Sequence, residues 1–460
     1  MSGMQYVRVA ASCLVVALAV PLLACDGLGG STIVVSPNDR LQVMRGWEAH
    51  VGGMPECNQT AWNIARDRVL ELSANDLGIN RVRVPLRSGF ENPVDHFTPY
   101  MRGEATFDDW KRTWTKPEND DDDPFHANPA GFQWAFLDHT METVVLPLRE
   151  KLRARGENLW VNVQYVGGRN PVHATNPEEY AELVVATFEH LRQRFGLTPN
   201  SLEIINEPNM RGKWTPQQVA RALLAVQPRL ARAGFNPEFV GPSTTTVEAS
   251  LEFLNAMLTI PGVQKVLTDV SYHGYGGGEP AVRRLADRAT GLGYRTAMLE
   301  KMGADEHDLY RELTVGQVSA WGQFGMVHCT KPDSGDGGGV YIRMEQVDPE
   351  HPRSMLATKS RRLRHYFRYV QLGAFRVGAT GGDTHVQATA FVNPDGKQVV
   401  VANADRDSEL RIRGLGAGTY GVRYTTDSAD NASARDTTIA VGATLLVRLP
   451  GRGVITVFGK

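Results

Sequence analysis

Cysteine is scarce in this chain, with four in 460 residues, and no Cys/His pair shows the spacing of a metal site. Charge of one sign is lacking too. The formal net charge is −2, so there is neither a basic field for nucleic acid nor an acidic solvating tail. Only one long apolar run occurs, Val9 to Leu23. The glycine triplets Gly276–Gly278 and Gly337–Gly339 lack the lysine-serine/threonine ending of a phosphate loop. No repeat of solenoid type is present. No metal, no cofactor and no nucleic-acid partner is therefore expected. What remains is a chain long enough to bury a large core, as one barrel plus a smaller domain, and expected to be a monomer.

The apolar run follows Arg8 and is short for a membrane span. It ends in Leu22-Leu23-Ala24-Cys25, which resembles a bacterial lipoprotein lipobox. A signal peptide over 1–24, acylation of Cys25 and a flexible tether over 25–31 are expected. A soluble body would then be held by its lipid anchor at a membrane of the cell envelope: outer membrane, cell surface or periplasmic face. Cys13 would leave with the signal. Cys57 and Cys329 would remain in an oxidising compartment.

From Met44 to about Ala374, strand-like runs alternate with helical patterns, as in a parallel α/β fold. Eight strands are predicted: Met44–His50, Asn80–Pro85, Leu159–Tyr165, the Ser201 strand ending at Asn206-Glu207, Glu238–Pro242, Asp269–Tyr275, a seventh ending at Glu300, and Gln317–Trp321. Eight strands close a barrel. Helices are expected over Ala61–Leu77 and Trp134–Arg155. The connection Ser88 to about Gln133 is unusually long, and its acid run Glu118–Asp123 reads as a solvated loop rather than a calcium loop, lacking a glycine-turned ligand pattern. After Phe375, short alternating runs separated by turn signals such as Asn393-Pro394-Asp395-Gly396 suit a β-sandwich. The predicted architecture is a (β/α)8 barrel over 44–374 with a β-sandwich over 375–460, joined by strand residues from 32–43. Cys57 follows the first barrel strand and Cys329 the eighth. These strands are neighbours in a closed barrel, so a Cys57–Cys329 disulfide is expected.

The run Ser201-Leu-Glu-Ile-Ile-Asn-Glu-Pro208 is the most informative segment. Proline stops the strand, which leaves Glu207 at a barrel tip, where active sites open. Glu300 ends the seventh strand. Retaining cleavage of a glycosidic bond uses two carboxyls about 5–5.5 Å apart. Glu207 is assigned as acid/base and Glu300 as nucleophile. Asn206 is placed to bond a sugar hydroxyl, and Arg83 to hold the nucleophile ionised. His273 and Tyr275 share a strand face by period two and can position Glu300. Tyr165, Trp47 and Trp321 are candidate substrate contacts, although core packing is the commoner fate of tryptophan.

Asn206-Glu207-Pro208, Glu300 and His273-Gly-Tyr275 resemble clan A glycoside hydrolases. Gln42–Trp47, Arg83, Tyr366–Arg376 and Pro450–Thr456 resemble family 30 in particular. The resemblance implies a retaining (β/α)8 β-glycosidase or endo-glycanase acting on an oligo- or polysaccharide or glycoconjugate. Trp47-Glu48-Ala49 and Leu299-Glu300 depart from the usual family pattern, so families 5 and 39 of the clan stay open. A catalytically inactive carbohydrate-binding surface lipoprotein is the reading from another class, and loss of activity on changing Glu300 separates the two.

Overall fold

β-Branched and apolar runs bounded by glycine and proline turn into strands here because each finds a partner that buries it on both faces. The computed structural model describes residues 30–53, 56–168, 171–210, 213–330 and 339–460. The signal segment and Cys25 lie outside the described residues. Among the described residues no helix is long and apolar enough to cross a membrane.

After β1 (Ser31–Val43), eight parallel strands close a barrel: β2 (Gly46–His50), β3 (Arg81–Arg87), β4 (Trp160–Val166), β5 (Ser201–Glu203), β6 (Glu238–Thr244), β7 (Asp269–His273), β8 (Arg295–Glu300) and β9 (Val318–Thr330). Closure comes from β9 pairing with both β8 and β2. Trp321 sits opposite Met298 on one side and Trp47 on the other.

Local chemistry sets the intervening helices. Asn176 caps Pro177–Phe195, with proline in the first turn and left-handed Gly196 at the end. Thr215 and Gln218 form a capping box on Pro216–Arg232. The helix expected over 61–77 spans Gln59–Glu71 and continues as a wider turn, Leu72–Leu77. It stops at Gly78, which has φ 95° and whose added Cβ would lie 2.4 Å from the Phe367 carbonyl oxygen; only glycine fits there. The helix expected over 134–155 is likewise interrupted, by a wider turn at Met141–Val145.

The last strand runs further than expected. Two more strands, β10 (Val340–Glu345) and β11 (Arg353–Leu356), extend the sheet from it. Tyr341 on β10 is fully buried and accepts from the Gln323 N–H at 2.7 Å while donating to the Glu48 carbonyl at 2.9 Å. The expected Cys57–Cys329 disulfide is present, with Cα atoms 5.4 Å apart.

The C-terminal strands β12 (Phe375–Gly381), β13 (Val386–Val392), β14 (Gln398–Ala404), β15 (Ser408–Arg413), β16 (Gly418–Thr426), β17 (Ala432–Ile439), β18 (Leu445–Leu449) and β19 (Gly453–Gly459) form the sandwich. β1 lies between β12, antiparallel, and β15, parallel. The helix Thr358–Phe367 joins the two bodies. Its His365 is fully buried, 3.0 Å from the Thr456 hydroxyl and 2.8 Å from that of Thr425. Burial, with the Arg364 charge beside it, pushes the His365 pKa down to about 3.

The long connection after β3 carries two short helices, Phe97–Met101 and Phe107–Lys111. Aromatic rings of this connection and of the helix that follows it surround the buried Arg87. The Arg87 guanidinium carbon lies 3.4 Å from the Trp114 ring centre, 4.0 Å from that of Phe136 and 4.6 Å from that of Trp110. Of the acid run, Asp121, Asp122 and Asp123 are exposed as expected, but Asp120 turns inward. It faces Glu179 and Glu182 on the helix Pro177–Phe195. Burial and these like charges push the Glu182 carboxyl up to about 9.

Candidate active site

Period two along β3 points Arg81 and Arg83 into the barrel. Both are buried, and the interior they enter is polar. Arg81 meets Glu48 at 2.5 Å, and Glu48 also accepts from Asn162 at 3.1 Å. One layer higher, Arg83 is the hub. Its Nε and one terminal nitrogen grip Glu203 at 2.8 and 2.7 Å. Its other terminal nitrogen donates to Glu300 at 2.8 Å. The Glu203-facing nitrogen also reaches the Asn206 side-chain oxygen at 3.1 Å and His273 Nε2 at 3.0 Å.

That last contact fixes the imidazole. Arginine only donates, so Nε2 of His273 accepts and Nδ1 carries the hydrogen. Nδ1 faces Glu207 at 3.0 Å and lies 3.8 Å from Glu300. Tyr275 donates its hydroxyl to the other Glu300 oxygen at 2.8 Å. Burial opposes ionisation of Glu300. The Arg83 guanidinium, by charge and hydrogen bond, and the Tyr275 hydroxyl outweigh it and hold the carboxyl below its ordinary range.

Glu207 is held by its backbone. It has φ 48°, an uncommon conformation for a residue with a Cβ and one that costs about 1–3 kcal/mol. Its N–H donates to the Ser243 carbonyl at 3.0 Å, and the Asn206 N–H donates to Tyr165 at 2.9 Å. The strained turn aims the carboxyl back across the mouth. An oxygen of Glu207 and one of Glu300 lie within 4.8 Å of each other, both within the same distance of a His273 nitrogen. The three do not make a metal site, because Nδ1 carries a hydrogen and the Arg83 guanidinium already supplies the positive charge on Glu300.

The structure brings together Glu207, Glu300, Arg83, Asn206, His273 and Tyr275. It does not bring the three candidate aromatics to the mouth. Trp47 alternates with inward Glu48 along β2, and Trp321 faces it from β9; both point outward into the helix layer. Both are fully buried against Phe367, and the Trp47 indole donates to the Val370 carbonyl at 2.8 Å. Tyr165 also faces outward, packed on Tyr180 and Trp214 with its hydroxyl 2.8 Å from His173. These three are corrected from substrate contacts to core residues.

Glu203 and His50 were missed by sequence reasoning. A charged residue inside an apolar strand run, in step with Glu207, was the available signal for Glu203. His50 ends β2 and stacks on Phe324 with ring centres 5.4 Å apart. Burial and the Arg83 charge push its pKa down to about 3. A surface cavity of about 570 Å³, lined by Asp305, Arg362, Asp427 and Arg452 among others, shares no residue with this site.

Residues 373–457 match the model described as "Glycosyl hydrolase family 30 beta sandwich domain". The resemblance to glycoside hydrolase family 30 holds. A GH30 endoxylanase from Clostridium papyrosolvens C71 superposes with a TM-score of 0.63 at 15% identity, covering 94% of this chain and 100% of that one. The catalytic domain of GH30 xylanase C from Talaromyces cellulolyticus gives 0.67 at 14%, covering 93% and 100%. An endo-β1,6-glucanase gives 0.63 at 13%, covering 94% and 96%. No curated protein sequence matches. At these identities the solved structures establish the fold, a barrel with its β-sandwich.

Proposed function

We propose that the protein is a retaining glycoside hydrolase that cleaves β-glycosidic bonds of a polysaccharide by double displacement. The observation that carries this is the pair Glu207 and Glu300, with oxygens within 4.8 Å across one mouth, the short separation that retention requires. Ionised Glu300 attacks the anomeric carbon while Glu207 gives its proton to the departing glycosidic oxygen. A glycosyl ester on Glu300 results. Glu207, now a carboxylate, takes a proton from water, whose oxygen attacks the same carbon and frees Glu300. Two inversions return the starting configuration. Arg83 and Tyr275 keep the nucleophile ionised and aimed, and the Nδ1 hydrogen of His273 orients Glu207. A xylanase and an endo-β1,6-glucanase among the similar folds support a β-linked glycan as substrate.

The two roles separate on mutation. Glu300→Gln should abolish turnover of every substrate. Glu207→Ala should lose about 10²–10⁴-fold on substrates that need protonation of the leaving group, spare aryl glycosides with good leaving groups, and yield a β-glycosyl azide when azide is added. Azide rescue of the Glu300 variant instead would exchange the roles. Unchanged activity in both variants would reject the reading.

A further inference from the structure

A second convergence of acids lies apart from the catalytic pair. Glu91 follows the short turn Ser88–Phe90 after β3, Asp120 belongs to the acid run, and Glu179 sits in the first turn of the helix Pro177–Phe195. One oxygen of each lies within 4.8 Å of the others. Glu182, three residues along the same helix face, adds a fourth acid. It is 1% exposed, and apart from the neighbouring Glu179 carboxyl neither of its oxygens has a hydrogen-bond partner. Oε1 of Glu91 and Oε2 of Glu179 are also buried and unpartnered. Among the described residues no lysine or arginine pairs with any of the four, and the one ion-pair neighbour is His173, on Oε2 of Glu91 at 2.5 Å. Carboxyls buried together without a counter-charge are costly when ionised; they keep a proton or hold a cation.

The donors are also held from behind. The Asp120 oxygens accept from the N–H groups of Asn128 at 2.6 Å and Asp121 at 2.9 Å. The Glu179 Oε1 accepts from Asn176 at 3.3 Å. His173 holds Glu91 through Nε2, and its Nδ1 faces the Tyr165 hydroxyl at 2.8 Å. Outer partners of this kind orient metal ligands. Both imidazole nitrogens are engaged and no cysteine is near, so the free donors are oxygens alone, which suits a hard cation.

We propose that Glu91, Asp120 and Glu179, with Glu182 beside them, bind a calcium ion that ties the long connection after β3 to the helix Pro177–Phe195. Carboxylates from three separate segments, with Glu182 beside them, suit the irregular oxygen shell of calcium better than the strict octahedron of magnesium. The tie continues through His173 and Tyr165 to the turn that carries Asn206 and Glu207.

The test is thermal unfolding of the full chain stripped with EDTA, with and without added calcium, beside terbium luminescence displaced by calcium. Calcium at about a hundredfold excess over its Kd should raise Tm by roughly 3–6 °C, and magnesium should do less. Glu179→Gln/Glu182→Gln, and separately Asp120→Asn on the connection, should lose the increment and the terbium signal. Removing mutual repulsion can itself raise the Tm of the stripped protein, so the increment is the readout. A wild-type Tm indifferent to calcium, or an increment that persists in both variants, would overturn the proposal.

Discussion

One guanidinium answers two acids, an amide and an imidazole at the centre of this molecule. Arg83 can do so because its planar fork has five donors, where a lysine would offer one point of charge. The consequence falls on Glu300, whose carboxyl is depressed although it is buried. A depressed carboxyl stays ionised as pH falls, so the acid limb of kcat/KM should lie below the ordinary carboxylate range. Tyr275→Phe removes one donor to Glu300 and keeps the ring. The acid limb should then move to higher pH, with the alkaline limb unchanged. A pH–rate profile of the variant that superimposes on wild type after scaling would show that Tyr275 acts on substrate rather than on the nucleophile.

The unit that matters at the next scale is the strand with its following loop. The first and eighth barrel strands are neighbours across the closure, and the disulfide ties Cys57, in the loop after the first, to Cys329, near the end of the eighth, across 272 residues. Cys57→Ser/Cys329→Ser should destabilise the fold by about 2–4 kcal/mol, read as a lower denaturant midpoint at constant m-value. An unchanged midpoint would mean that the closure stands on strand pairing alone. The elements that sequence reading placed well are those set by local chemistry: strands that end at an acid, such as β8 at Glu300, and capped helices, whereas β5 stops at Glu203, short of the expected Asn206-Glu207. Legible in the same way were Glu207, Glu300, Arg83 and the His273–Tyr275 pair, because period two and barrel geometry dictate where they point. The orientation of Trp47, Trp321 and Tyr165 was not legible. An aromatic at a strand end packs outward or inward according to what the helix layer presents, and Phe367, 320 residues from Trp47 in the chain, decides it. β10 and β11 escaped for a similar reason, since they are stabilised by pairing onto a strand already in the barrel.

At the scale of the whole molecule, the barrel and the sandwich meet on the helix Thr358–Phe367. The Thr456 hydroxyl donates to the His365 carbonyl at 2.8 Å, so Nδ1 of His365 must donate to that hydroxyl and Nε2 accept from Thr425. This is an imidazole with one hydrogen, consistent with a pKa near 3 against an ordinary 6.5. Between those values the unfolded chain binds a proton that the folded one excludes, so stability falls as pH drops from 6.5 toward 3. His365→Gln should flatten this part of the Tm–pH curve, though it lowers Tm at neutral pH. A variant that keeps the full acid slope would place the sensitivity elsewhere.

The parallel and antiparallel pairing of β1 also imposes an order in time. Ile33 pairs with Gly381 and Ile412, partners synthesised roughly 20–70 s later at ordinary elongation rates. Until β12 is made the strand has both edges open, and until β15 is made it has one; an open edge invites pairing with another chain. The barrel can close first, but the sandwich cannot begin as a complete sheet until nearly the whole chain has been made. Nascent chains paused short of residue 375, with neither β12 nor β15 yet made, are therefore the species most exposed to misassembly.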